Sequence, residues 1–283
     1  MQIAINAGAY LAIVLLVSTA FFFQYRLFRY FDLSLGAVFL AGAYAFFFLT
    51  SLQVSSFVAA FSSVATAALV GLLFYLCLIR GLVKMEASSL AMTLCAFGFY
   101  IAGVNVIAML FGDEVIRAPD SALSASVALG GGVASVSQLL EFVVAICSVG
   151  LVWIFLATGK LGRLFRAFGD NPKLANEIGL SSNLPILVVT AWGAALVGIT
   201  GVLVVADVGV RPSAAFSYLI PGLAAVLIFG AKSIGDTVSG ALVVASIGET
   251  SGYAFGQQWR DFAIYISVAL ILAARTSLLG INR

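Results

Sequence analysis

The chain is written as long apolar runs cut by short polar breaks. Runs from Ile3 to Phe23, Leu33 to Leu52, Phe57 to Ile79, Leu90 to Phe111, Leu139 to Thr158 and Leu184 to Ala206 each hold roughly the 20 apolar residues that cross ~30 Å of hydrocarbon as an α-helix. Three more runs, Ala214 to Gly230, Ile234 to Gly248 and Phe262 to Leu279, are less regular, because Pro221 interrupts the first and the second is short. The first two of these read either as full crossings or as half-helices that enter and return on one side. None of the runs alternates as a membrane barrel strand must, so backbone groups have to be satisfied inside helices. The pattern predicts an all-α, polytopic helical membrane protein with about 8–9 transmembrane segments, organised as a single transmembrane domain over residues 1–283.

Composition agrees with the pattern. Hydrophobic residues make up 63% of the chain and charged residues 9%, against about 25% charged in soluble domains; mean hydropathy is +1.15. So few charges cannot cover a water-soluble particle, and the remaining surface must face lipid. The start, MQIAINAGAY, has no basic region or clear cleavage site and reads as a first span, not a removable signal. A net charge of +2 gives no reason to expect nucleic acid as a partner, and histidine is absent. Cys77, Cys95 and Cys147 sit singly in apolar runs, a spacing that suggests neither metal nor disulfide and reads as buried thiols.

Charge placement adds a topology. Lysine and arginine are retained on the cytoplasmic side of membrane proteins. With the loop from Lys160 to Lys173 inside, alternation puts Arg26, Arg29, Arg80, Lys84, Lys160, Arg163, Arg166, Lys173, Lys232, Arg275 and Arg283 inside, and Arg117, Arg211 and Arg260 outside. This predicts an external N-terminus and a cytoplasmic C-terminus. The outer side then holds Asp113, Glu114, Asp120, Glu141, Asp207, Glu249 and Asp261, an acidic rim that suits a basic docking partner or simply solvent. The external stretch from Asp113 to Gln138 contains SALSASVALGGGVASVS and is expected to form a re-entrant or surface helix. Gly130, Gly131 and Gly132 are not followed by the GK[ST] of a phosphate loop, and no Walker motif occurs in the chain, so no nucleotide site of its own is expected.

Candidate chemistry is sparse. The spans carry no catalytic constellation, which argues against an enzyme, and no metal-ligand cluster. Ionisable groups inside a membrane are functional suspects, yet the deepest acid, Glu141, lies only about one turn into its span. Asn105, midway along the fourth span, is either glue between helices or part of a substrate path. Asp32-LSLGAVFLAG is echoed by Asp236-TVSGALVVAS, through chance among small residues or an ancient duplication.

The stretch Arg163-LFRAFGDNPKLANEIGL is the most informative. Asn171 and Pro172 form an N-cap and first-position pair, and Gly179 is a terminator seven residues later. They predict a helix from Pro172 to Ile178 of about 10 Å, too short to stand alone, with Leu174 and Ile178 on one face. Such a helix must dock, either on its own bundle or, in a transport protein without a nucleotide site, on an ATPase.

RAFGDNPKLANEIGL resembles the cytoplasmic loop RA-x-x-x-NP-x-x-A-x-x-x-GI of the permeases of ABC importers for branched-chain amino acids, with Leu180 in place of the isoleucine. AWGAALVGITGVL is similar to that family's next span, GLAAVLIFGAKSIGDTVSGALVVA to its segment AAV-x-LGG-x-GSI-x-G, and RYFDLSLGAVFLAGAY to its early NFAHGEIFMLGAY. Trp259-Arg-Asp, with Arg275 and Leu279-Gly, is similar to the closing span; together these cover about half the chain. Departures fall at Asp32 and Leu33-Ser34-Leu35, where the family has an alanine-histidine pair nearby, at Ala231 and Lys232 in place of glycines, and at Thr276 in place of a proline. They bear on the substrate more than the fold.

The resemblance implies a permease subunit in a bacterial or archaeal cytoplasmic membrane, moving a small solute, by default a branched-chain or other amino acid. It implies a second permease, identical or homologous, two cytoplasmic ATP-binding subunits carrying ATP and magnesium, and an external solute-binding protein. The residues assigned to ATPase coupling are Arg166, Asn171, Pro172, Leu174, Ala175, Ile178 and Gly179. Those assigned to the substrate pathway are Asp32, Ser34, Gly36, Asn105, Gly230 and Gly240. The alternative, an ion-coupled secondary transporter, would want a carboxylate at mid-depth, which the spans lack.

Overall fold

The computed structural model describes residues 2–118, 125–129, 132–180 and 183–278. Asp120, Gly130, Gly131, Leu279 and Arg283 lie outside these, as do the side chains of Lys173, Arg275 and Thr276. The described elements are α1 (Gln2–Phe28), α2 (Leu35–Ser51), α3 (Ser56–Lys84), α4 (Ser89–Phe111), β1 (Ser126–Leu129), β2 (Gly132–Ser135), α5 (Val136–Thr158), α6 (Lys160–Asp170), α7 (Pro172–Glu177), α8 (Asn183–Asp207), α9 (Ala215–Phe229), α10 (Ile234–Phe255) and α11 (Arg260–Leu278). A short π segment, Tyr75–Ile79, lies inside α3 and carries it past the expected end at Ile79 to Lys84. Among the described residues six helices are long and apolar enough to span a membrane: α1, α3, α4, α5, α8, and α9 with its leading turn from Pro212. The chain is a multi-pass, all-α membrane protein.

On α3 and α5 polarity does not separate inside from outside; residue size largely does. On α3 the buried positions are Ala59, Ser63, Ala67, Gly71 and Phe74, and on α5 they are Ser137, Glu141, Ala145, Ser148 and Val152. Both are single stripes of mostly small residues at helical spacing, on helices that are apolar all round. Because lipid tails are as apolar as leucine, helices associate where small side chains let backbones approach. The centre shows this directly: a Cβ on Gly42 of α2 would lie 2.7 Å from the carbonyl oxygen of Gly198 on α8. α1, α2 and α8 form the middle, with Leu16, Phe21, Phe39, Leu40, Val197 and Val205 fully enclosed.

Two expectations are resolved. Arg26, near the end of α1, donates from Nη1 to the carbonyl of Ala231 at 3.1 Å, so the α9–α10 turn lies at the end of the bundle where α1 finishes. Val210, just before α9, bridges to Ile116, and Glu249, late in α10, lies 3.8 Å from Arg260 at the start of α11. That arginine stacks on Tyr10, in the early turns of α1. Both α9 and α10 therefore run the length of the bundle, and the half-helix alternative is excluded. The short span expected from Ile234 is a 22-residue helix, because Glu249 and its polar neighbours continue the helix beyond the apolar run.

Other expectations need correcting. The stretch expected to be a re-entrant or surface helix is, where described, an antiparallel hairpin pairing Ser126 with Ser135 and Val127 with Ala134. Its alternating small and β-branched residues have no helical stripe to bury. Cys77 and Cys147 are exposed on the bundle's outer surface, on helix faces whose buried stripe is elsewhere, whereas Cys95 is half-buried and packs against the cluster of Tyr30, Phe74 and Met92. The echoed segments occupy different registers. Asp32 precedes α2, whereas Asp236 lies inside the first turn of α10, where it and Ser233 cap each other reciprocally. Ser233-x-x-Asp236 is a capping box written in the sequence.

Candidate functional site

The site is built on α6 and α7, which lie across the Arg26 end of the bundle. In KLGRLFRAFGD the residues Gly162, Phe165, Phe168 and Gly169 are buried, while Arg163, Arg166 and Asp170 are exposed. Phe165 enters an aromatic cluster with Phe22, Phe23 and Phe155 at centroid distances of 6.0, 5.6 and 6.5 Å. Gly162 is pressed against the backbone of Phe155 and Leu156, where a larger residue would collide. These contacts fix α6 against α1 and α5 and leave its basic face outward.

Asn171 breaks the helix at φ −148° and ψ 93°. Its Oδ1 accepts the Leu174 backbone N–H at 3.1 Å, and Pro172 follows as the first residue of α7. At the other end Gly179 takes φ +79°, a conformation costly for a residue with a Cβ. The Leu180 N–H then reaches back to the Ala175 carbonyl at 3.1 Å, the pattern of a Schellman C-cap. Ala175 is 2% exposed and seats the helix on the protein, whereas Leu174 and Ile178 are 53% and 66% exposed. This helix is held at both caps and presents two large apolar side chains to whatever lies beyond.

Sequence reasoning missed what ties this surface to the bundle. Arg26 Nη2 contacts Asp170 Oδ1 at 2.6 Å while Nη1 holds Ala231, and Arg29 donates to the Gly169 carbonyl at 2.8 Å. One arginine thus joins α1, the end of α6 and the α9–α10 turn. Beside it a cavity of ≈ 850 Å³ is lined by Phe22, Arg26, Trp153, Arg166, Lys232 and Ser239, among others. The signal was only indirect: Arg26 and Lys232 counted among the basic residues of one side, without any sign that they meet.

The six residues assigned to a pathway do not converge. Asp32 and Ser34 are buried together ahead of α2, where the Ser34 hydroxyl and N–H both donate to Asp32 Oδ1. Burial pushes the Asp32 carboxyl up to about 6, against the pull of hydrogen bonds from Ser34 and Tyr30. Gly36 abuts Tyr100 of α4 and Leu219 of α9, and Gly240 abuts the Ala225 backbone of α9. Both are glycines of helix contacts within this chain, so bulky substitutions there would report on assembly of the bundle. Gly230 closes α9 at φ +80°. Asn105 is exposed on α4 and returns its amide to the Ile101 carbonyl at 2.7 Å; within this chain it is no glue between helices, because it bonds its own helix.

Residues 3–274 match the family described as the permease component of branched-chain amino acid transport systems. Among curated proteins the chain is similar to the high-affinity branched-chain amino acid transport system permease protein BraD of Pseudomonas aeruginosa, with 30% identity over 154 residues, 54% of this chain and 50% of the relative. It is also similar to the corresponding permease protein LivH of Escherichia coli, with 26% identity over 147 residues, 50% of this chain and 47% of the relative. The chain spans about half the length of the curated relatives it matches. With nearly every described helix inside the family match, the chain belongs to the permease-component family of branched-chain amino acid transport systems.

Proposed function

We propose that this chain is a permease subunit of an ABC importer that carries a small solute, branched-chain or other amino acids, across the cytoplasmic membrane. The Arg26 end faces the cytoplasm, with the N-terminus outside and the C-terminus inside, in keeping with the positive-inside rule. The chain pairs with a second permease, identical or homologous, and an external solute-binding protein meets the acidic end. Two ATPase subunits carry ATP and magnesium and dock at α6–α7. The observation that carries this reading is the doubly capped α7 with Leu174 and Ile178 more than half uncovered, since burying the exposed part of each in a partner groove would recover about 1–2 kcal/mol. Closure of the ATPases on ATP moves α7. Through Asn171, Asp170 and Arg26 that motion reaches α1 and the α9–α10 turn.

The test replaces Asn171 and Pro172 with alanine together with Leu174→Asp. Affinity pull-down under mild detergent should lose the ATPase subunits by more than about tenfold, as expected when a desolvated apolar anchor is lost, while membrane insertion stays normal. Uptake into vesicles should require ATP and fail in this variant. Retained docking would refute the coupling assignment, and ATP-independent uptake driven by an ion gradient would favour a secondary transporter.

A further inference from the structure

The cavity of ≈ 850 Å³ beside Arg26 is charged in one sense only. Its described lining carries Arg26, Arg166 and Lys232 and no carboxylate. The smaller cavity at the opposite end of the bundle, of ≈ 330 Å³, is mixed: Tyr10 and Arg260 border it together with Glu141, Asp207 and Glu249. The contacts of Arg26 bring the three cations together. Its Nη1 donates to the carbonyl of Ala231, the residue before Lys232, and its Nη2 meets Asp170 Oδ1. Arg166 stands one turn before Asp170 on α6, a separation of about 5–6 Å between Cβ atoms. The nearby acids are already engaged, Asp170 with Arg26 and Asp236 in the capping box of α10. Arg166 and Lys232 are exposed and have no ion pair among the described residues. A recess lined by one sign of charge concentrates counter-ions.

The wall above these cations is apolar and belongs to a membrane-spanning helix. Val149, Gly150, Trp153, Leu156 and Ala157 lie on one face of α5 and line the recess. From Ala157 to Val149 the wall rises about 12 Å along the span. It is open rather than packed: Trp153 is 64% exposed, and a Cβ on Gly150 would meet nothing within 4 Å. The cations lie at the mouth, at the ends of α1 and α6 and the start of α10, with the indole of Trp153 above them, in the order in which a membrane helix passes from interface to hydrocarbon. A soluble anion would use the mouth and leave the wall bare. A phospholipid has a part for each.

From this arrangement we infer a binding site for one anionic phospholipid in the cleft between α1, α5 and α10. Its phosphate lies on Arg166 and Lys232 beside Arg26, and its acyl chains run along Trp153, Gly150 and Val149. Basic recesses between transmembrane helices take anionic headgroups in this way, and the stems of arginine and lysine cover apolar wall while their heads reach the phosphate. Because Arg26 also joins α1, the end of α6 and the α9–α10 turn, a headgroup held there braces the same junction. The inference requires only that the chain span a membrane. It depends neither on the solute carried nor on ATPase docking.

The test measures lipid retention by the full chain, without ATPase subunits or uptake. The chain is placed in nanodiscs of equal parts phosphatidylglycerol and phosphatidylcholine with identical acyl chains, released into mild detergent and weighed by native mass spectrometry. One phosphatidylglycerol should stay bound, at least about tenfold in excess over phosphatidylcholine. Arg166→Gln should lower the retained fraction about fivefold, and Arg166→Gln with Lys232→Gln by more than tenfold. Arg163→Gln is the control, since Arg163 lies on the same helix but outside the described lining and turns to the Thr158 carbonyl at 3.3 Å. It should leave retention unchanged; a loss as large as that of Arg166→Gln would mean general surface charge and overturn the site. Gly150→Leu fills the open cleft and should expel the lipid while the melting temperature in lipid-free detergent holds. Retention undiminished in Gly150→Leu would overturn the acyl-chain path. Equal retention of the two lipids by the wild type would leave the recess to water or a neighbouring subunit and overturn the site. Displacement of the lipid by free glycerol phosphate would make it a soluble-anion site and overturn the lipid assignment. Should the double variant fail to fold, the two lipids on the wild type and on Gly150→Leu decide. Because uptake is not measured, failure here leaves the importer reading standing, and failure of ATP-driven uptake leaves this site standing.

Discussion

The two ends of the bundle handle polar groups beside lipid in opposite ways. At the Arg26 end the chain pairs its own groups over long sequence distances, Arg26 with Asp170 and Ala231 and Arg29 with Gly169. On α7 what this end leaves uncovered is apolar, Leu174 and Ile178. At the Glu141 end the unused capacity is polar and enclosed, on Tyr10, Glu141 and Arg260. Uncovered apolar side chains suit a protein partner, whereas enclosed unpaired donors and acceptors suit a small polar solute.

The comparison can be broken most decisively at Arg26. Arg26→Met keeps most of the packed stem but removes the contacts to Asp170 and Ala231, and should cost about 2–3 kcal/mol of stability and most ATP-driven uptake. Asp170→Asn should cost under about 1 kcal/mol, because Asp170 is 68% exposed and the pair is screened by water. Thermal unfolding in detergent and vesicle uptake measure both; undiminished uptake in Arg26→Met would remove the arginine from the coupling route.

An effect smaller than that of Arg26→Met is expected at Asp32, also at the Arg26 end. Its carboxyl is raised from 3.8 to about 6 by burial, so the folded state binds the proton more tightly than the unfolded one. That stability is fully present below pH 3.8 and is lost as pH rises through about 6. Asp32→Asn should flatten this slope, worth on the order of 2 kcal/mol, in unfolding measured between pH 4 and 7. An unchanged slope would place the titration elsewhere. Smallest of all, Asn105→Leu should change stability by less than about 0.5 kcal/mol and leave uptake intact, since the Asn105 amide bonds only its own helix. Lost uptake would mean that a second subunit lies against that face.

Much of the site was legible where the signals are local. Asn171, Pro172 and Gly179 act on the backbone within a few residues of themselves, so their sequence spacing already describes the helix they cap. Gly36 and Gly240 were legible as small residues but not as to purpose, because a glycine lining a path and a glycine receiving another helix are written alike. Asn105 and Glu141 misled in opposite directions. The amide at mid-span turned to its own backbone, and the acid near a span end proved the more deeply enclosed.

Sequence by itself determined the all-α, multi-pass character of the chain, the gathering of positive charge toward one side and the capped helix α7, because hydrophobic run length, charge retention and capping are short-range properties of the chain. Only the tertiary structure decided that α9 and α10 run the length of the bundle, that Arg26 meets Asp170 and that Tyr10, Glu141 and Arg260 border one chamber. These depend on which faces of helices meet, and among helices that are apolar all round the choice is made by the close fit of small side chains, which no hydrophobic period records.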